Sequence, residues 1–234
     1  MGASRGSLVG RAATEFLVVM VGILAALAVD DWRQARSDRA LEVHLLTSLL
    51  ADLEDDRGDA ELQVRLVEGH RNAVNHLLAL SGHPLAAKGE VYPDTPEAIN
   101  QSLGTLWNIA ELQVFDPTYT EMLSTGSIRL IGDPVLRREI AKYYQAAEQW
   151  LSVPLRQVDP RPDLIRALAE VGIVAGAAAE MPDLVPRLRS NPTIATHALR
   201  IRRYYQSNEG TLSRMQELRE SLDQAVEGRL RALR

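Results

Sequence analysis

The pattern of apolar positions changes along the chain, and its most apolar part lies near the amino end. Residues 16–29 form an unbroken apolar run of fourteen residues, FLVVMVGILAALAV. A helix that is apolar on every side is typical of a membrane span or of a buried core helix. Fourteen helical residues rise only about 21 Å, less than the roughly 30 Å of a bilayer's hydrocarbon layer. A helix over 12–32 would rise about 31 Å, so the sequence predicts a transmembrane anchor there.

The residues that flank this run fit the two surfaces of a bilayer. Trp32 follows it, and indole rings favour the membrane interface. Arg11 and Glu15 are four residues apart, which predicts an ion pair at the opposite interface. Arginines are nearly balanced on the two sides, so the charge rule for orientation is weak. We expect a cytoplasmic tail over 1–11, a single pass through a bacterial inner membrane, and a periplasmic body.

Two alternatives to an anchor remain open from the sequence. The segment Ala26-Leu27-Ala28 fits the small-x-small pattern of a secretory cleavage site, so the run could belong to a signal peptide. Apolar runs of this length also occur as core helices of globular proteins. An anchor is favoured because the helical pattern continues past Trp32 without a break. Within the run, Gly22 and Ala26 form a small-xxx-small pair that would let two membrane helices approach closely.

Past residue 32 the apolar positions form a stripe instead of a run. They recur every three or four residues, which is the period of an amphipathic helix, at Leu41, Leu45, Leu49, Leu53, Ala60, Val64, Val67, Val74 and Leu78. We predict one helix from about 13 to 81, of which 33–81 belongs to the body. A turn at Asp55–Asp59, next to Gly58, is the alternative. The carboxylates at 52–56 are interpreted as a solvated face of this helix.

Prolines then divide the chain into short segments. Helices are predicted to begin at Thr95-Pro96, Asp116-Pro117 and Asp133-Pro134, because an N-cap residue followed by proline is a strong start signal. These short helices occupy 95–153, and the second of them ends at Gly126. Residues 154–191 are rich in proline and alanine and allow only a short helix at 162–171. A striped helix over 192–233 completes the pattern. The body is thus predicted over 33–234.

Composition excludes several classes of function. The net charge of −5 argues against general nucleic-acid binding. The chain has no cysteine, which removes disulfides and thiolate chemistry. The five histidines match no zinc motif, and no phosphate-binding or nucleophile motif is present. We therefore expect no catalytic residue, metal or cofactor. In each pair of adjacent tyrosines, 143–144 and 204–205, one ring is expected in the core and one at the rim.

Two blocks of the sequence resemble a family of uncharacterised single-pass bacterial membrane proteins. The first is Glu15 to Val19 with Gly22 and the Asp31-Trp32-Arg33 segment. The second is the order Tyr-x-x-x-Leu-x-x-Gly, Leu-Ile, Leu-Arg, Tyr-Tyr, carried by residues 119–126, 130–131, 136–137 and 143–144. The family implies a membrane anchor and a helical body. It implies no known activity, so no functional residue is transferred.

These inferences combine into one expected architecture and three hypotheses of function. The fold is predicted to be all-α, with the membrane helix continuing into a long helix that is antiparallel to the long C-terminal helix. Short helices would form a cap at one end of this pair. The favoured function is a non-enzymatic, membrane-anchored interaction or structural module that binds the bilayer, and a second copy or another membrane protein. The alternatives are a sensor with a ligand pocket near Trp107, Tyr119 and Tyr144, and an enzyme of unidentified class.

Overall fold

The structure, a computed structural model, describes residues 5–86, 93–107, 113–156, 159–174, 181 and 183–234. The side chains of residues 5–15, 18 and 150–156 are outside this description. Every regular element of the described residues is helical, which confirms the all-α prediction. The α-helices are α1 (Arg5–Leu80), α2 (Pro96–Trp107), α3 (Pro117–Thr125), α4 (Pro134–Arg156), α5 (Arg161–Glu170), α6 (Leu184–Ser190) and α7 (Pro192–Leu233), with a 3-10 helix at Ser127–Leu130.

Helix α1 is continuous over 76 residues, which corresponds to about 114 Å. It passes through Gly58 without a turn, so the prediction of one helix is confirmed and the alternative turn at 55–59 is wrong. A glycine inside a helix costs only about 1 kcal/mol relative to alanine. The buried residues on either side of Gly58, Leu53 and Ala60, pack against the rest of the body and outweigh that cost.

Helix α7 runs antiparallel to α1, as the sequence predicted. At one end of the pair, Arg39 donates from Nε and Nη2 to the carbonyl oxygen of Leu233, at 3.1 and 2.6 Å. Further along, Arg71 and Glu209 form an ion pair at 3.0 Å. The apolar stripe of α7 faces α1 and is buried at almost every predicted position. Leu41 is the exception in the stripe of α1, because it points to solvent while the adjacent Glu42 turns inward.

The proline-based helix starts are confirmed for the short helices. Asn191 Oδ1 accepts a hydrogen bond from Thr193 N at 3.0 Å and caps α7, whereas the Asp116 side chain makes no such bond at the start of α3. Gly126 ends α3, as predicted, and its φ of +68° is the left-handed conformation that glycine favours at a helix end. Helix α2 ends at Trp107 in the described residues. Helix α6 was not predicted, because Pro186 within it masks the helical pattern.

The short helices cover both halves of the α1–α7 pair, so the prediction of one terminal cap is wrong. We call the cluster around Leu77, Leu103 and Ile201 the distal core; it joins α1 and α7 to α2, α5 and α6. We call the cluster around Leu49, Ile140 and Leu222 the proximal core; it joins α1 and α7 to α3, the 3-10 helix and α4. A pair of striped helices has apolar surface along its whole length, and each half has its own covering layer.

The amino-terminal part of α1 lies outside both cores. Every described side chain from residue 16 to residue 36 is exposed, including Phe16 (67%), Leu24 (59%) and Trp32 (61%). Helix α7 ends near Arg39, so no described residue covers this part of α1. In the part of the chain that the structure describes, no helix combines the length and the apolar character required to cross a membrane.

Candidate functional site: the Asp56 centre

A group of buried polar side chains lies on the proximal core where α1, α4 and α7 meet. We call Asp56, Tyr143, Tyr144 and Arg219 the Asp56 centre. Asp56 is only 3% exposed, so its interpretation as part of a solvated face is wrong. The sequence did contain a signal: Asp56 lies three residues after Leu53 and four before Ala60, on the apolar stripe itself. A carboxylate in a core position requires partners, because burial without them is costly.

Three carboxylates of α1 hold the segment that leads into α3. Asp59 accepts a hydrogen bond from the Gln113 amide at 2.9 Å, and Asp56 accepts one from the Phe115 amide at 2.6 Å. One turn earlier, Asp52 Oδ2 accepts from the amide of Thr118 at 3.0 Å. Thr118 is in the first turn of α3, where amides lack a partner within the helix and favour a negative charge. These carboxylates therefore fix residues 113–118 along α1.

The tyrosines of α4 connect this segment to the proximal core. The Tyr143 hydroxyl donates to Asp56 Oδ2 at 2.7 Å, and the Tyr144 hydroxyl donates to the Phe115 carbonyl oxygen at 3.3 Å. The ring of Tyr144 stacks on Tyr119 of α3, with centroids 4.3 Å apart and planes 7° from parallel. Both tyrosines of α4 are buried. The expectation of one core ring and one rim ring is thus wrong for 143–144, because Tyr143 reaches Asp56 of α1 while Tyr144 stacks on Tyr119 of α3.

The second tyrosine pair behaves as predicted. Tyr205 is buried in the distal core, where its ring stacks on His70 at 4.4 Å, and Tyr204 is only partly buried. Buried histidines also fill structural roles here. His76 Nε2 donates to the Pro93 carbonyl at 2.8 Å, and its Nδ1 accepts from the Ser102 hydroxyl at 2.7 Å, which ties α1 to α2. Among the described residues, no group of three metal-ligating side chains is present.

Arg219 brings a cation from α7 to the Asp56 centre. Its side chain is 7% exposed, and its terminal nitrogens lie 3.6 Å from Asp223 and 3.8 Å from Glu220. Its Nε has no hydrogen-bond partner. A cavity of about 10 Å³ borders Arg219, and this volume admits about one water molecule.

Burial controls the protonation of this centre. It raises the pKa of Asp56 from 3.8 to about 6, while hydrogen bonds from Phe115 and Tyr143 oppose the rise and repulsion from neighbouring carboxylates adds to it. Burial, followed by the charge of Asp56, also raises the pKa of Tyr143. Burial likewise raises the pKa of Tyr144. The tyrosines thus stay protonated donors at all physiological pH values, and Asp56 is a carboxyl group that titrates close to neutrality.

A second buried charge joins α1, α7 and the turn before α4. Glu42 accepts from Arg229 Nε at 2.9 Å, from Arg229 Nη2 at 3.1 Å, and from the Gly132 amide at 2.9 Å. A Cβ atom at Gly132 would lie 2.7 Å from Arg229 Nη2. Only glycine therefore fits here without displacing the arginine. The pair fixes the end of the body that is closest to the exposed segment of α1.

The residues predicted for a ligand pocket fall in two places. Tyr119 and Tyr144 lie together, in face-to-face contact, at the proximal core. Trp107 ends α2 and packs against the distal core. Gly22 has nothing within 4 Å of a built Cβ atom, and Ala26 is exposed on the same helix. The predicted pair of Arg11 and Glu15 lies outside the described side chains.

Comparison of the chain with protein-family models, with curated proteins and with solved structures finds no match in any of the three. The resemblance of residues 15–33 and 119–144 to a family of single-pass membrane proteins therefore stays a prediction. The structure does give the second block a physical meaning. Tyr119 and Tyr144 stack on each other, Gly126 forms the turn after α3, and Ile131 is buried in the proximal core.

Proposed function

We propose that this chain is a single-pass, membrane-anchored helical protein whose body is a non-enzymatic interaction or structural module. The observation that carries the proposal is the exposure of the apolar run. Its described large side chains are 43–67% exposed, and no other described residue covers this part of α1. Exposed apolar patches of this extent mark protein or membrane interaction sites. Because the run is apolar on every side, a bilayer fits it better than a protein groove, which covers one side.

The position of Trp32 supports the same proposal. Its ring is exposed, and the Arg36 guanidinium lies over it at 5.8 Å from the ring centroid. Indole and guanidinium groups both suit the interface between lipid and water. The proposed span is residues 12–32, of which residues 12–15 lie where the side chains are not described. The body, residues 33–234, is proposed to be periplasmic. Because α1 continues without a break from the apolar run into both cores, one helix would join the proposed membrane span to the body.

Vesicle flotation tests the membrane part of the proposal. The full chain is mixed with phosphatidylcholine–phosphatidylglycerol vesicles and detergent is removed. We expect the chain to float with the vesicles, and the double variant Ile23→Asp/Leu27→Asp to remain at the bottom of the gradient. The matched control is Leu62→Asp/Leu123→Asp, which alters two exposed leucines of the body. The proposal fails if both double variants float equally, or if the unaltered chain does not float.

Crosslinking tests the interaction part. Amine-reactive reagents suit this chain poorly, because it has few lysines. A photoreactive side chain is therefore placed at an exposed body position, such as Leu62 or Leu123, in the native membrane. We expect a defined adduct with a second copy or another membrane protein. A single band at monomer mass from every exposed position would contradict an interaction module.

A further inference from the structure

One face of α1 carries arginines just beyond the apolar run. Arg33, Arg36 and Arg39 are three residues apart, so they lie within about 120° of one another around the helix. We call these three residues the arginine face. All of them are exposed, and the Arg36 guanidinium lies over the ring of Trp32, 5.8 Å from its centroid. Where the structure describes side chains, neither Arg33 nor Arg36 forms an ion pair, so both can meet an external anion.

The carboxylates of the same segment lie on other sides of the helix. They are Asp30, Asp31 and Asp38. With about 100° of rotation per residue, each of them lies about 120° or more from Arg36 around α1. Asp38 Oδ1 already accepts a hydrogen bond from the Gln34 amide at 2.7 Å. The segment therefore presents one positive face, although the net charge of the chain is −5.

The end of α7 brings further arginines to the same level of α1. Arg39 donates to the carbonyl oxygen of Leu233, which places the end of α7 beside the arginine face. Arg231 and Arg234 are exposed there, and Arg231 lies 3.4 Å from Glu227. Two helices that are distant in the sequence therefore place basic side chains together at the end of the body that is closest to the apolar run.

The position of the arginine face along α1 matches the headgroup layer of a bilayer. The proposed membrane span ends at Trp32, and headgroups add about 5–8 Å to each side of the hydrocarbon layer. Arg36 lies about 6 Å beyond Trp32 along the helix axis, and Arg39 lies about 10 Å beyond it. In a helix close to the bilayer normal, Arg33 and Arg36 are thus at the depth of the lipid phosphates. A guanidinium binds a phosphate group through two parallel hydrogen bonds.

We propose that the arginine face, together with the adjoining end of α7, binds the headgroup of an anionic phospholipid. The inference rests on the proposed membrane span, because it requires Trp32 to lie at the interface. A zwitterionic headgroup carries its own cation next to the phosphate, whereas phosphatidylglycerol leaves the phosphate charge uncompensated. Basic side chains near a membrane surface therefore favour the anionic lipid. Both leaflets present headgroups, so the site functions on whichever side of the bilayer the body lies.

Photoactivatable lipids test this preference. The full chain is reconstituted into phosphatidylcholine vesicles that contain small, equal amounts of photoactivatable phosphatidylglycerol and phosphatidylcholine with identical acyl chains. Vesicles that carry the chain are isolated by flotation and illuminated, and the two lipid adducts are quantified by intact-mass spectrometry. We expect the phosphatidylglycerol adduct to exceed the phosphatidylcholine adduct by about fivefold, the effect of one arginine near an anionic surface. Salt at about 1 M should bring this ratio close to one, because it shortens the Debye length to about 3 Å.

Two double variants of equal charge locate the effect. Arg33→Gln/Arg36→Gln should bring the adduct ratio close to one without added salt. The matched control, Arg65→Gln/Arg214→Gln, alters two exposed arginines of the body and should keep the ratio of the unaltered chain. Arg65 lies about 50 Å beyond Trp32 along α1, far outside the headgroup layer.

The outcomes separate this inference from the membrane proposal on which it rests. An unaltered chain that floats with the vesicles but gives an adduct ratio near one overturns this inference alone. Equal adduct ratios in the two double variants also overturn it, because the preference would then not come from the arginine face. An unaltered chain that does not float overturns the membrane proposal and this inference together.

Discussion

Two stretches of one helix, residues 16–29 and residues 45–78 of α1, both carry large apolar side chains and have opposite environments. In the first, every described side chain is exposed, whereas in the second the leucines of the stripe are buried. The first stretch is apolar throughout, whereas in the second the apolar residues recur every three or four positions among polar ones. A stripe with polar residues on its other faces fits an antiparallel partner helix. A surface that is apolar all round leaves no side for water, and fits an environment that is apolar on every side.

The largest expected effect comes from exchanging one leucine in each stretch for alanine. Leu49 is fully buried in the proximal core, so Leu49→Ala should lower the free energy of unfolding by about 3–5 kcal/mol. Leu24 is 59% exposed, and Leu24→Ala should change the free energy by less than about 0.5 kcal/mol. Urea unfolding of the full chain in one detergent, followed by circular dichroism, measures both. Equal losses of unfolding free energy in Leu49→Ala and Leu24→Ala would contradict the different environments of the two stretches.

The next effect concerns the carboxylate that interrupts the buried stripe. Because burial raises the pKa of Asp56 to about 6, the folded state binds this proton more tightly than the unfolded state does. Its contribution to stability is therefore lost as pH rises from about 4 to about 6, by about 3 kcal/mol. Asp56→Asn should remove this loss from the profile of unfolding free energy against pH. The control Asp55→Asn changes an exposed neighbour and should keep the original profile. If the stability profile of Asp56→Asn ran parallel to that of the unaltered chain, the raised pKa of Asp56 would be contradicted.

A smaller loss is expected at the end of the body that is closest to the exposed stretch. Gly132→Ala places a methyl group 2.7 Å from Arg229 Nη2 and should displace the arginine from Glu42. Losing charge-assisted hydrogen bonds of this kind costs about 2 kcal/mol. Gly58→Ala is the matched control, since nothing lies within 4 Å of its Cβ position, and it should stabilise α1 by up to about 1 kcal/mol. Thermal unfolding measures the stability of both variants. If Gly132→Ala does not lower the melting temperature, the ion pair of Glu42 and Arg229 can shift to admit the methyl group, and the expected loss is wrong.

The smallest effect is local to the turn after α3. Gly126 has φ +68°, and a side chain in this left-handed conformation costs about 1 kcal/mol. Gly126→Ala should lower the melting temperature by a few degrees. Gly126→Asn should recover part of that loss, because asparagine tolerates the conformation better. If alanine proves as stable as glycine, the turn is not fixed by this residue.

Much of the fold could be predicted from the sequence, because local signals and tertiary packing agree there. The stripes of α1 and α7 and the Asp-Pro and Asn-Pro starts act within a few residues, so periodicity and capping chemistry were sufficient. The placement of the short helices was not predictable in the same way. It depends on which apolar faces match across the α1–α7 pair, and a single sequence contains no direct record of that pairing.

The candidate site was largely missed, and for a physical reason. Asp56 belongs to a run of carboxylates that would be interpreted as solvent-exposed in most helices. What makes it different is the position of its partners, the Phe115 amide and the Tyr143 hydroxyl, 59 and 87 residues away. Its place on the leucine stripe was a usable signal. Arg219 offered a similar signal, since it lies between Met215 and Leu222 on the buried side of α7.

The central claim is that residues 12–32 hold this chain in a bilayer, and alkaline extraction of membranes tests it most directly. Cells expressing the full chain are lysed and the membranes are washed at high pH. The molecular mass of the chain in the pellet and in the supernatant is then measured by intact-mass spectrometry. The account predicts that an uncleaved chain, with a mass of 25.9 kDa, stays in the pellet. A full-mass chain in the supernatant without detergent would contradict the anchor, and a chain cleaved after Ala28 would show that the run is a signal peptide.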